Sequence, residues 1–378
     1  MLSSMRILEV APFASPVDER REQLGGAQIL FADLAGGLAA AGHDVTIAAA
    51  IGSFVHGTTL APLEIDSRKM RAADLGVTAG TREDDAAQAR AFSLVRSYVD
   101  EHAARFDVVH AHAYDAPAFD ALRHAPCPVV HTLHLPPLDA RVVAAARAAA
   151  AGGAVLVTVS EANAALWRRA QVDVRRVIPN GVDIGSIPHD ATHGSHLLFA
   201  GRMSPEKGVE DAIATTRRLE KSLLIVGGVY GARYFERAVR PHVTADPSWV
   251  VTQAVEGIRY VGSRTREDVL RIMARSAATL MPVRWDEPFG LVAVESLASG
   301  TPVAAYRRGG LAEIVDETCG ALAEPGDLEA FAAATLRALG RSPDACRRRA
   351  ERYSLGAMVA RYEELMREVI PDARRSGE

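Results

Sequence analysis

The feature that most constrains this chain is an alternation that runs through nearly its whole length. Short β-branched runs are separated by longer stretches with apolar residues at three-to-four spacing. In the first half the runs are MRILEVA (5–11), HDVTIAAAI (43–51), DVVHAH (107–112), PVVHTLH (128–134) and AVLVTVS (154–160). Helical patterns at 27–41, 88–105, 140–151 and 162–170 separate most of them. Strands that are apolar on both faces need cover on both faces, and crossover helices between parallel strands supply it. The pattern breaks at 180–195, where Gly, Pro, Asp and Ser cluster as in an interdomain linker. It then restarts with HLLFAGR (196–202), SLLIVGG (222–228), GIRYVGS (257–263), AATLMPV (277–283) and PVAAYR (302–307). The expectation is α/β: two Rossmann-like, doubly wound parallel-sheet domains facing a central cleft, at 1–185 and 186–354. A last helical pattern at 355–370 opens a C-terminal segment, 355–378. Residues 52–85 fit no element well and read as a strand-and-loop insertion.

Composition closes off other classes. At 378 residues the chain exceeds one ordinary core, and 48% apolar with 24% charged residues is globular. A net charge of −4 argues against a nucleic-acid partner. Cys127, Cys319 and Cys346 form neither a disulfide framework nor a zinc spacing, which points to a reducing, cytoplasmic home. The first thirteen residues read as a first strand and not a leader, and no window is apolar enough to span a membrane. The helix at 27–41 carries only Asp33 as a charge, so it is no basic membrane-binding helix.

Open parallel sheets bind ligands at the carboxyl ends of their strands, so the informative residues follow strands. GRMSPEKG (201–208) sets Gly201 and Arg202 at a strand end and Lys207 in the loop beyond. Two cations there suit a phosphorylated ligand, although a solvated loop explains the spacing equally well. DEPFGLVAVES (286–296) brackets an apolar helix with Glu287 and Glu295. The amides from Phe289 through Gly290 and Leu291 to Val292 form a helix N-terminus, a ready anion site. Glu287 beside that anion suits sugar hydroxyls, and Glu295 suits a vicinal diol such as ribose. The bland alternatives are a favourable charge at a helix start and an exposed helical glutamate. Gly25 and Gly26 precede the helix at 27–41 and could admit a phosphate, or simply turn the chain. His112 and His134 end two strands where a sugar hydroxyl could be bound, whereas His110 and His131 should be satisfied inside the sheet. No carboxylate or cysteine shares a local ligand spacing with these histidines, and there is no D-x-D in the chain, so no metal site is expected. G-x-G-x-x-G, Walker and G-x-S-x-G motifs are absent too.

With these stretches in view the chain resembles the retaining nucleotide-sugar glycosyltransferases of family four, the "group one" set with the GT-B fold. EPFGLVAVE (287–295) matches the family's E-x-seven-E motif, and GRMSPEKG its strand-end Arg and Lys. GTPVAAYRRGGLAEIV (300–315), IPNGVD (178–183) and GHDVT (42–46) match flanking segments. The resemblance implies that Arg202 and Lys207 hold the donor diphosphate and Glu287 the transferred sugar. By the same likeness, Glu295 takes the ribose diol and the Gly290 and Leu291 amides touch the distal phosphate. Gly26 would line the phosphate side of the first domain, His112 would contact the donor sugar, and Val261-Gly262 would hold the base through backbone groups. The final helix would cross back onto the first domain.

The activity so implied is transfer of a hexosyl-type sugar from a nucleotide diphosphate sugar to an acceptor hydroxyl, with retention and without a cofactor or metal. The absence of a basic membrane face tilts the acceptor toward a soluble small molecule. Two alternatives stay open: an epimerase or phosphorylase-like enzyme on the same fold, and a non-catalytic nucleotide-sugar-binding protein. The donor's base and sugar, the acceptor and the oligomeric state are not legible.

Overall fold

A computed structural model of the protein describes residues 3–19, 26–70, 82–112, 115–189 and 194–371. Chain contacts divide it into two compact units, residues 1–181 with 355–378, and residues 182–354. Each unit is built on a seven-stranded sheet whose neighbouring strands are all parallel.

In the first unit the strands are β1 (Arg6–Val10), β2 (Asp44–Ala48), β3 (Thr59–Leu60), β4 (Val108–Ala111), β5 (Val129–Leu133), β6 (Val155–Thr158) and β7 (Arg176–Val177). Their order is β3-β2-β1-β4-β5-β6-β7. The second unit has β8 (Leu197–Ala200), β9 (Leu223–Val226), β10 (Thr244–Ala245), β11 (Ile258–Tyr260), β12 (Ala278–Met281), β13 (Val303–Tyr306) and β14 (Gly320–Ala323). Here the order is β10-β11-β9-β8-β12-β13-β14. In both sheets the strand order reverses beside the unit's first strand, between β1 and β4 and between β8 and β12. Such a reversal opens a crevice at the strands' carboxyl ends, where doubly wound sheets bind ligands.

All ten expected strands are present. The four additional ones are short edge strands, and β14, GALA, has the composition least suggestive of a strand. The helix expected at 88–105 starts earlier, as Arg82–Glu101, and ends in a separate 3-10 turn, Ala103–Arg105.

Period-two alternation sorts the first sheet's side chains between two cores. Leu8 and Val10 pack with Phe92 and Val95 of helix Arg82–Glu101. Ile7 faces the other way, toward Phe31 and Leu34 of helix Gly26–Ala40 and toward Met358, Val359 and Tyr362. These last three belong to helix Leu355–Val369, which completes the first unit. Glu9 shares the strand face of Ile7, so a carboxylate enters an apolar core with no exposure at all.

Candidate functional site

In the second unit the switch point lies between the ends of β8 and β12. Past β8 the chain makes a 3-10 turn, Pro205–Lys207, and then a left-handed Gly208 (φ 70°) that opens helix Val209–Arg218. A Cβ on Gly208 would lie 1.9 Å from the Pro282 carbonyl, so this loop packs directly on the chain leaving β12. Arg284 fastens the two. Its amide donates to the Glu206 carbonyl at 2.8 Å, and its guanidinium donates to Glu210 and Asp211 of that helix, both at 2.7 Å. Tyr306 donates its hydroxyl to the other Asp211 oxygen at 3.1 Å. Burial, then the neighbouring Asp211 carboxylate, pushes that phenol's pKa well up, so it stays a donor.

This staple brings the two predicted segments together. Lys207 Nζ donates to Glu287 Oε2 at 2.7 Å, and the Trp285 indole N–H donates to the same oxygen at 2.8 Å. The ammonium also lies 5.2 Å from the Trp285 ring centroid, a cation–π distance. Arg202 is placed at the strand end, stacked over the Tyr230 ring at 4.7 Å and 3.5 Å from Glu206 Oε1. Lys207 and Glu287 are 19% and 12% exposed, so the pair is shielded while still open on one side. Glu287 is therefore engaged by protein donors, where the sequence suggested sugar hydroxyls or a helix start.

Helix Leu291–Ala298 begins after Gly290, whose φ of 112° and lack of a capping side chain leave the first-turn amides without a side-chain acceptor. A Cβ on Gly290 would meet Leu311 Cδ2 at 2.5 Å. Phe289 is buried in a T-shaped contact with Tyr353, and Leu291 is half-buried. Glu295 meets Arg266, at 3.3 Å from its guanidinium nitrogens. Arg266 opens helix Arg266–Ala274, whose start is fixed by Thr265 accepting from Asp268 N.

The backbone around the expected base position is partly committed to the fold. Val261 N donates to Ile225 O, and Gly262 O accepts from Gly227 N. Gly201 N likewise donates to Val226 O. A base would have to use the groups that remain.

In the first unit the same topological position carries buried ionisable groups. β1 and β4 pair Glu9 with His110. His110 Nδ1 is 3.1 Å from Glu9 Oε1, and His112 Nε2 is 3.0 Å from Glu9 Oε2. His134 Nε2 lies 3.0 Å from His112 Nδ1, with the two rings stacked. On the far side, His110 Nε2 is 2.7 Å from Thr132 Oγ1, itself 2.9 Å from the Tyr362 hydroxyl. Burial would raise the Glu9 pKa, but the charge on His110 and hydrogen bonds from His110 and His112 outweigh it and bring it to about 2. Burial first, then the charge on His110, lowers His112 to about 4 despite Glu9. His134 is held well below its usual range by burial, with His112 and His110 adding to the effect.

Three expectations change here. Glu9, His110 and His112 do bring ligand-capable atoms within 4.8 Å of one another, because the carboxylate comes from a neighbouring strand rather than a local spacing. His131 is not satisfied within the sheet: both ring nitrogens are buried without a hydrogen-bond partner, the ring packs on Phe119, and burial lowers its pKa to about 3. His112 has both ring nitrogens engaged by protein groups, which leaves His134 as the more exposed histidine of the pair. Gly26 begins its helix and is exposed, whereas Gly25 lies outside the described residues.

Sequence reasoning missed Trp285, Tyr230, Arg266 and Glu9. Trp285 sits two residues before Glu287, a local signal; Arg266 and Glu9 reach their partners only through tertiary pairing.

Residues 24–186 match the family model for glycosyltransferase family 4, and residues 194–341 match that for glycosyl transferases group 1. The chain belongs to the group 1 glycosyltransferases. A glycogen synthase of Mycobacterium tuberculosis is 33% identical over 46% of this chain and 42% of its own length. The chain thus aligns with less than half of that relative. A D-inositol 3-phosphate glycosyltransferase of Xylanimonas cellulosilytica is 27% identical over 86% of both chains. Among solved structures, Anabaena HepE in complex with UDP-glucose superposes with a TM-score of 0.67 at 18% identity, covering 96% of this chain and all of that one. At that identity the likeness speaks for the fold, which is the GT-B architecture expected from the sequence. Among the described residues no helix is long and apolar enough to cross a membrane.

Proposed function

We propose that this group 1 glycosyltransferase transfers a hexosyl sugar from a nucleotide diphosphate sugar to an acceptor hydroxyl, with retained configuration and without a metal. The observation that carries the reading is the Lys207–Glu287–Trp285 cluster, which joins the loop after β8, where Arg202 also lies, to the segment leading into the uncapped helix at Gly290. Lys207, Arg202 and the first-turn amides oppose the charge that grows on the departing diphosphate, which is electrostatic preorganisation. Glu287, already fixed by two donors, presents its carboxylate to hydroxyls of the transferred sugar. Glu295, released from or shared with Arg266, accepts the ribose diol. The acceptor proton passes to the leaving phosphate on the same face, so no protein nucleophile is invoked. Val261 and Gly262 approach the base; in the first unit His134, with Gly25 and Gly26, is offered to a phosphate, sugar or acceptor, while His112 acts through His134.

The D-inositol 3-phosphate in the name of the Xylanimonas cellulosilytica relative, matched along most of the chain, favours a small soluble acceptor. A thermal-shift panel of nucleotide diphosphate sugars identifies the donor, since a ligand at 100 times its Kd stabilises by about 2.7 kcal/mol. Transfer is then followed with phosphorylated and free polyols as acceptors. The reading predicts a raised Tm with one donor class and product only when acceptor is added. Conversion of donor alone would mean an epimerase, and binding without turnover across the acceptor panel a silent binder.

A further inference from the structure

We propose that Glu9 is a positioning residue, the anchor of a buried chain Tyr362–Thr132–His110–Glu9–His112–His134 that fixes the ring tautomers at the ligand-binding edge of the first unit. The inference rests on the reading that this edge serves the sugar or the acceptor. Its basis lies in the first unit alone. Glu9 of β1, His110 of β4, His112 just past β4 and Thr132 of the next strand, β5, share one face of the sheet, covered by helices Gly26–Ala40 and Leu355–Val369. Glu9 and His110 are wholly buried and His112 is 2% exposed.

An ionised carboxylate can only accept. His110 must therefore present N–H at Nδ1, and His112 at Nε2. A neutral His112 is then an acceptor at Nδ1, so His134 must donate from Nε2. One carboxylate thus dictates the proton positions of three imidazoles, ending at the half-buried ring of His134 at the carboxyl end of β5. Phe31 packs edge-on against His112 at 5.4 Å and holds its ring plane. The other branch, through Thr132 to Tyr362, ties the same anchor to helix Leu355–Val369.

Glu9→Gln keeps the shape but offers one acceptor and one donor, so it cannot receive both rings. In full-length protein, long-range ¹⁵N–¹H correlation spectra of the histidines report the tautomers directly. At pH 7.5 wild-type His112 should be protonated at Nε2 and His134 at Nε2. Glu9→Gln should move at least one of these protons, lowering kcat by roughly 10- to 100-fold while the donor KM stays within about threefold. Wild-type His112 protonated at Nδ1, or wild-type kcat with altered tautomers in Glu9→Gln, would overturn the inference. So would one equivalent of a divalent metal retained by the purified protein, since metal ligation would replace those N–H groups. Should the wild type transfer no sugar, the functional reading falls, while the wild-type spectrum still decides whether Glu9 sets the tautomers.

Discussion

The two units share a parallel seven-stranded plan and use their switch points in opposite ways. The second unit surrounds its crevice with half-shielded ion pairs, Lys207 with Glu287 and Arg266 with Glu295, whose members are 12–31% exposed. The first unit puts its charge inside, with Glu9 fully buried against His110 and His112, and with burial disfavouring the charged forms of His112 and His134. Half-shielded pairs can be exchanged for a ligand's phosphates and hydroxyls at small cost. A buried anion cannot be exposed cheaply, so it organises rather than binds. The same fold thus yields one sheet edge suited to holding a charged donor and another suited to presenting oriented, neutral hydrogen-bonding groups.

Charge removal in the second unit should break this contrast most severely. Lys207→Ala removes the ammonium and leaves Glu287 with only the Trp285 donor, so turnover should fall by roughly 10²-fold or more, the scale of losing one oxyanion donor. Arg202→Ala should fall in the same range, and steady-state kinetics with a saturating acceptor checks both.

Acid should separate the units next. His112 near 4, His131 near 3 and a strongly lowered His134 all bind protons more readily unfolded than folded. Their stabilisation is complete above the unfolded value of about 6.5 and is lost as pH falls toward the folded values. Glu9, lowered to about 2, adds a further loss between its unfolded value and that figure. In the second unit His196, near 4, shows the same effect. Amide exchange between pH 7 and pH 4 should therefore show the first unit losing protection ahead of the second. Equal loss in both would contradict the contrast.

How much of this was legible in the sequence depends on how far apart the partners lie. The alternation predicted the ten inner strands because each is a local apolar, β-branched run bounded by helical patterns. Edge strands such as β14 were invisible because GALA has no β-branched residue. Glu287 and Lys207 were legible as strand-end residues, but their pairing was not, because 80 residues separate them. The H-x-H of β4 does place two imidazoles on one face, yet nothing local announces that Glu9 on the adjacent strand faces them.

Smaller perturbations sharpen the account. Glu295→Ala should weaken donor binding about tenfold, or about 1.4 kcal/mol, with kcat nearly unchanged. Arg266→Ala should shift donor affinity by less than that, since the pair it breaks is partly exposed. Tyr362→Phe removes one buried hydrogen bond to Thr132 and should cost about 1 kcal/mol of stability, read by denaturant unfolding of the full chain.

Titration calorimetry of the donor's nucleoside diphosphate, run on the wild type, Arg202→Ala and Lys207→Ala, tests the central claim most directly. Positive groups gathered at the β8–β12 switch point should make both variants bind at least tenfold more weakly, with the wild-type affinity falling steeply as salt is raised. Affinities equal to the wild type in both variants would mean that the diphosphate is held elsewhere.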